Sequence, residues 1–139
     1  MPIVFAGAAS HAPGITAWNA AATETQRTNI AAGFGALKDA LDAARLDVLI
    51  VFTSEHWTNF FLDNIGAYCV GRGESFSGPT EPWLNIAPRT IPGAPELARQ
   101  IVERAYDADI EVGFSYECEL DHGTVLPLQE VERRAIEQA

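Results

Sequence analysis

Residues Asp47–Thr53 (DVLIVFT) constrain the fold of this chain more than any other segment. Apart from its two ends the segment is a continuous apolar run, and it lacks the alternation of a half-exposed strand. Such runs are typical of strands that are buried on both faces, as in a parallel sheet covered by helices. The segment therefore predicts a parallel strand within an α/β fold.

Patterns on both sides of this run support the α/β prediction. Ile30, Phe34 and Leu37 recur every three or four residues, as they would on one face of a helix. We predict further strands at Pro2–Ala9, Asn64–Gly71 and Asp109–Tyr116, helices at Thr23–Arg45, Pro95–Ala108 and Gln129–Ala139, and loops at Gly71–Pro95 and Asp121–Leu128. The order βαββαβ(α) predicts a layered domain with a mostly parallel sheet. We expect one domain of 139 residues, and the charged helix that ends it suggests a truncated or split protein.

Charge and composition exclude several classes of function. The net charge of −10 argues against binding to nucleic acid or to anionic lipid, because both would be repelled. The sequence contains no secretory signal pattern and no apolar run near the ~20 residues of a membrane span. Cys69 and Cys118 lack the spacing of a metal knuckle, and a chain of this size needs no disulfide, so we expect a cytoplasmic protein.

The chain has three histidines, and each follows a predicted strand or its short extension. These residues are His11, His56 and His122. Because the carboxyl ends of parallel strands meet at one edge of a sheet, the three side chains could converge there. Two histidines and a carboxylate would suit iron(II) and oxygen chemistry, whereas three histidines would suit a zinc hydrolase. Spacing alone leaves both open, together with the plainer possibility that each histidine is a hydrogen-bonded packing residue.

Three short motifs carry a resemblance to a known family. They are Ser10-His11-Ala12-Pro13, Ser54-Glu55-His56, and Leu120-Asp121-His122-Gly123 followed by Val125-Leu126-Pro127-Leu128. Together with the intervening segment Trp57–Gly71, they resemble the class III extradiol ring-cleavage dioxygenases, especially the 2,3-dihydroxyphenylpropionate and protocatechuate 4,5-cleaving members. The resemblance extends to about Leu128 and corresponds to the N-terminal half of the family's chain.

The resemblance implies a role for each histidine. His11 and His56 would ligate Fe(II), and His122 would act as an acid and base beside a catecholic substrate. The implied reaction inserts both atoms of O2 into the ring beside its two hydroxyls. Asp121 would orient His122 or cap its loop, of which we favour the cap, and the aromatic side chains expected at the pocket walls are those of Trp57, Phe60, Phe61 and Trp83.

The resemblance also leaves the metal site incomplete. In the family the third ligand is a glutamate far downstream of the Asp-His-Gly motif, and no residue of this chain is assigned to it. We therefore expect a homo-oligomer, or a second chain that completes the site. Two alternatives remain: a non-catalytic binding or assembly module of the same fold, and a zinc metallohydrolase that uses His11, His56 and His122.

Overall fold

The computed structural model describes the backbone of residues 2–137 and the side chains of residues 2–132. The helices and strands of this part of the chain are α1 (Glu24–Ala44), β1 (Cys69–Gly71), β2 (Ser75–Gly78), β3 (Arg89–Pro92), α2 (Pro95–Asp107), β4 (Gly113–Ser115) and α3 (His122–Glu137). Short 3-10 helices cover Pro13–Ile15, Asn19–Ala21 and Pro82–Leu84. Strands β1 and β4 are parallel, and β2 and β3 are antiparallel. The mixture of helices with a parallel strand pair confirms the α/β fold class.

The contacts divide the chain into two compact units. The first contains the chain up to Ser54, the segment Glu81–Ile86, and the chain from His122 onward. The second contains Glu55–Thr80 and Ala87–Asp121. The chain therefore passes between the units four times, and residues that are adjacent in sequence can belong to different units.

Helices α1 and α3 form the core of the first unit by packing against each other. Helix α1 begins where Thr23 and Gln26 cap it reciprocally, with the Thr23 Oγ1 accepting the Gln26 N–H and the Gln26 side chain accepting the Thr23 N–H. Phe34 of α1 is buried, and Val125 and Leu126 of α3 have no exposed surface. The helix predicted at Thr23–Arg45 is thus confirmed.

The second unit is built from the two strand pairs and α2. In the parallel pair Cys69 lies opposite Gly113, and Gly71 lies opposite Ser115. Helix α2 packs against β1 and buries Val102, so the predicted helix at 95–108 is confirmed. Gly78 ends β2 where a Cβ atom would lie 2.2 Å from the Leu120 carbonyl oxygen, which explains why a residue without a side chain occupies this position.

The two apolar segments at 2–9 and 47–53 are not strands, contrary to prediction. Both have irregular backbone, and neither pairs with a strand of the described chain. Ile3 and Phe52 are each 91% exposed, so these segments are not the centre of the core either. An apolar run indicates that a segment suits a buried strand, but strand formation requires neighbouring backbone with which to pair.

Other boundaries also differ from the predictions. The strands expected at 64–71 and 109–116 are shortened to β1 and β4. The loop expected at 71–95 contains the antiparallel pair β2 and β3 and one 3-10 helix, and the loop expected at 121–128 is the first part of α3 from His122 onward. Pro127 argued against a helix here, because proline usually interrupts helices, yet α3 continues through this residue. The last two residues of the predicted helix at 129–139 lie outside the described residues.

None of the helices in residues 2–137 combines the length and the apolar composition that a membrane crossing requires.

Candidate functional site

Two of the three histidines lie together in the first unit. The ring centroids of His11 and His122 are 5.8 Å apart, and the rings are tilted by 50°. His11 is half-buried in the turn that precedes the 3-10 helix at Pro13, and the Ser10 hydroxyl accepts the Ala12 N–H of this turn at 3.2 Å. His122 is buried at the start of α3. The juxtaposition of His11 and His122 therefore arises from a turn and a helix start, not from the strand ends that the sequence suggested.

A buried carboxylate holds the His122 ring. The Glu81 Oε1 lies 2.6 Å from the His122 Nδ1, and both side chains are mostly buried. Glu81 directly precedes the 3-10 helix Pro82–Leu84, which is anchored by the fully buried Leu84. A hydrogen bond of this length between an imidazole and a carboxylate fixes the orientation of the ring.

Aromatic rings extend from this histidine toward the surface of the first unit. The Trp83 centroid lies 6.1 Å from that of His122, and Trp18 stacks on Trp83 at 5.4 Å with an interplanar angle of 17°. Trp18 and Trp83 are both exposed. Such a row of rings presents faces on which a planar aromatic molecule can stack. Trp83, predicted as a pocket wall, thus lies beside His122, and its role in a pocket stays a prediction.

The third histidine belongs to the second unit, where a different carboxylate holds it. The Asp121 Oδ2 lies 2.9 Å from the His56 Nδ1 and accepts the His56 backbone N–H, also at 2.9 Å. Asp121 is only 4% exposed, so its carboxylate is buried, whereas the His56 side chain is 30% exposed. Histidines that bind metals usually carry a carboxylate or carbonyl on the ring nitrogen that does not face the metal.

The turn that follows His56 is fixed by side chains on both sides. The Glu55 carboxylate accepts the backbone N–H groups of Trp57, at 2.8 Å, and of Thr58 and Asn59. Trp57 has a φ of 63°, in the left-handed region. The Asn59 side chain in turn exchanges two hydrogen bonds with the Glu119 backbone. His56 is therefore presented by a rigid segment of the second unit.

The described residues do not form a complete metal site. They contain no group of three or more His, Cys, Asp or Glu side chains that could hold a metal ion. The pairing of His56 with Asp121 suits a metal ligand, yet the donor set that a metal needs is not assembled by this part of the chain.

Sequence reasoning missed the two carboxylate partners. It did not identify Glu81, and it related Asp121 to His122 although the Asp121 Oδ2 contacts His56. Glu81 is 41 residues from His122, and Asp121 is 65 residues from His56, so no local pattern could reveal either pair. Trp57 and Phe61, which were predicted as pocket walls with Phe60, are exposed members of the second unit.

Comparison with known proteins gives a consistent family match. Residues 6–135 match the family described as the catalytic LigB subunit of aromatic ring-opening dioxygenase. The chain is 35% identical over 85 residues to the 2,3-dihydroxyphenylpropionate/2,3-dihydroxicinnamic acid 1,2-dioxygenase 2 of Dechloromonas aromatica strain RCB, covering 61% of this chain and 26% of the relative. It is 29% identical over 94 residues to the similarly named dioxygenase of Burkholderia vietnamiensis strain G4, covering 68% of this chain and 28% of that relative. The chain thus spans about a quarter of the length of these curated relatives.

Proposed function

Since the chain belongs to the family of LigB catalytic subunits of aromatic ring-opening dioxygenases, we propose that it is part of an extradiol dioxygenase that inserts O2 into a catecholic substrate. The observation that carries the proposal is the family match over residues 6–135, a range that includes all three histidines. The relatives are named for 2,3-dihydroxyphenylpropionate and 2,3-dihydroxycinnamic acid, which favours a catechol with a short carboxylate side chain as the substrate class.

We assign the acid and base role to His122. A catechol must lose protons to react, and an imidazole side chain can accept one and later return it. Because the Nδ1 of His122 is held by Glu81, the Nε2 is the ring nitrogen to which this exchange is assigned. The aromatic faces of Trp83 and Trp18 on the same unit would bind the ring of the substrate by stacking.

We assign His11 and His56 as two ligands of an iron(II) ion. The support for His56 is the Asp121 carboxylate on its Nδ1, and the support for His11 is the resemblance of its motif to that of the family. The third ligand would be a carboxylate from outside the described residues, supplied by a further part of a longer protein, by a second copy or by another chain.

The proposal is tested by metal analysis and oxygen uptake. The purified protein is loaded anaerobically with Fe(II), desalted and analysed for metal, and O2 consumption is then measured with 2,3-dihydroxyphenylpropionate. We expect Fe(II)-dependent uptake that is abolished in His11→Ala and reduced at least 100-fold in His122→Ala. The matched control is Glu24→Gln, which alters an exposed carboxylate of the first unit and should leave uptake unchanged. Equal uptake in wild type and His11→Ala would refute the proposal.

The incomplete donor set of the described residues favours one alternative, a non-catalytic binding module. This module would hold a phenolic ligand on the Trp18 and Trp83 faces without metal. Calorimetry with 2,3-dihydroxyphenylpropionate distinguishes the two functions, because the module predicts the same affinity with and without Fe(II). Stoichiometric zinc in place of iron would instead indicate a hydrolase.

We propose self-association through the apolar segment Leu49–Phe52. Its four consecutive side chains are 44% to 91% exposed, which is unusual for a run of large apolar residues on a soluble monomer. A second copy that covers this segment predicts a dimer by light scattering, and a monomer at high concentration would contradict it. We also propose a cytoplasmic location, in agreement with two cysteines that form no disulfide.

A further inference from the structure

The geometry points to Glu81 as a positioning residue that fixes the tautomer and orientation of His122. This inference rests on the proposed function, because positioning has a purpose only if the His122 ring exchanges protons with a substrate. Glu81 does not contact the substrate in this scheme, and it acts through the histidine.

The first argument is the contact itself. The Glu81 Oε1 lies 2.6 Å from the His122 Nδ1, and the side chains are 15% and 10% exposed, respectively. An ionised carboxylate only accepts hydrogen bonds, so the Nδ1 must carry a proton for this contact to be favourable. The neutral ring is then the Nδ1–H tautomer, and its lone pair lies on Nε2.

The second argument is the cost of keeping Glu81 in this place. The Glu81 Oε2 is buried, and no hydrogen-bond partner is present for it in the described part of the chain. Burial of a carboxylate oxygen without a partner is unfavourable, and a catalytic role is one of the recognised explanations for such an atom in a native structure. An apolar residue at this position would avoid that cost, but it would leave the His122 Nδ1 without this acceptor.

The third argument is the rigidity of both partners. Glu81 directly precedes the 3-10 helix that buries Leu84, and His122 begins α3, in which Val125 and Leu126 are fully buried. A hydrogen bond between two side chains on anchored backbone segments holds the ring in one orientation. Both segments belong to the first unit.

The test measures the tautomer directly. The chain has only three histidines, so a protein labelled with 15N-histidine gives three ring systems, and His122→Gln identifies the third. At an alkaline pH where the rings are neutral, we expect His122 in the wild type to show the Nδ1–H tautomer. In Glu81→Ala we expect a shift to the Nε2–H form that is common for exposed imidazoles. An unchanged tautomer in Glu81→Ala overturns the inference.

The second readout is turnover, with a conservative variant as rescue. We expect Glu81→Ala to lower kcat by about 10- to 100-fold with little change in KM. Glu81→Gln keeps an oxygen acceptor of the same length, so it should retain the Nδ1–H tautomer and recover most of kcat. If Glu81→Ala does not fold, Glu81→Asp replaces it, because this change shortens the side chain by one methylene. A loss of the Nδ1–H tautomer and a lower kcat in Glu81→Asp support the inference, whereas a wild-type tautomer and a wild-type kcat overturn it.

The two levels of inference fail in different ways. If the protein has no ring-opening activity but the His122 tautomer depends on Glu81, the proposed function is refuted. The same result supports Glu81 as the residue that fixes the tautomer of His122. Ring opening with wild-type kcat in Glu81→Ala supports the function and overturns the positioning role. The control Glu24→Gln should change neither readout, because Glu24 is exposed at the start of α1.

Discussion

Replacement of Asp121 by alanine should expose the dependence of His56 on its buried carboxylate. The Asp121 Oδ2 accepts two hydrogen bonds at 2.9 Å, one from the backbone N–H of His56 and one at its Nδ1. Hydrogen bonds to a charged, buried acceptor contribute about 1.5 kcal/mol each at the lower end of their range. Loss of both should therefore cost about 3 kcal/mol in the free energy of opening this segment.

Hydrogen exchange at the His56 amide reports this loss at the affected atom. A change of about 3 kcal/mol corresponds to roughly a 100-fold faster exchange of the amide, since each 1.4 kcal/mol is about a factor of ten. Asp121→Asn keeps one oxygen acceptor but removes the charge, so we expect it to accelerate exchange by about 10-fold. If His56 contributes to a metal site, Asp121→Ala should also lower metal affinity by about 10- to 100-fold.

A matched control separates this effect from a general effect of charge. Asp42 is an exposed carboxylate of α1 that pairs with Lys38, and such pairs contribute little. Asp42→Asn should leave the exchange rate of the His56 amide within twofold of wild type. An Asp121→Ala variant whose His56 amide exchanges within threefold of wild type would refute the assignment of Asp121 as the support of this histidine.

Three further predictions concern stability and thiol chemistry. Thr23→Ala should reduce the free energy of unfolding by about 1 kcal/mol, because it removes the side-chain half of the capping box; urea denaturation would show no change if the cap is unimportant. Leu126→Ala should cost about 2–5 kcal/mol in the same assay because Leu126 is fully buried, whereas a cost below 1 kcal/mol, as expected for the exposed Leu49→Ala, would mean that α3 is not part of the core. Partial burial of the Cys69 thiol and the neighbouring Cys118 raise the pKa of Cys69 to about 11, so its alkylation rate should keep rising with pH up to that value. Cys118→Ser should move the midpoint of this profile to lower pH, and a profile with its midpoint near 8.5 in the wild type would contradict the raised pKa.

The sequence predicted local structure where the signal was local. Helix α1 has its cap at Thr23 and helix α2 has a proline in its first turn, and both are signals within a few residues of the helix end. The apolar runs at 2–9 and 47–53 were predicted as strands because of their composition, yet strand formation depends on neighbouring backbone that composition does not provide. The start of α3 at His122 was missed because Pro127 resembles a helix breaker.

The candidate site was predicted only in part, because sequence patterns report local features and not tertiary contacts. The three histidines were selected from their places in the sequence, and the structure brings His11 and His122 together. The carboxylates that hold His56 and His122 are distant in sequence, so their identity depends on tertiary structure.

The separation between each histidine and its carboxylate has a consequence for the order of folding. His56 is paired with Asp121, 65 positions later, and Glu81 is paired with His122, 41 positions later. Contacts between residues so far apart close large loops and form late, after the local helices. During synthesis, Asp121 and His122 leave the ribosome in succession, so the two pairs become available at almost the same moment. A nascent chain that stops before this dipeptide can contain α1 and α2, but it has neither oriented histidine.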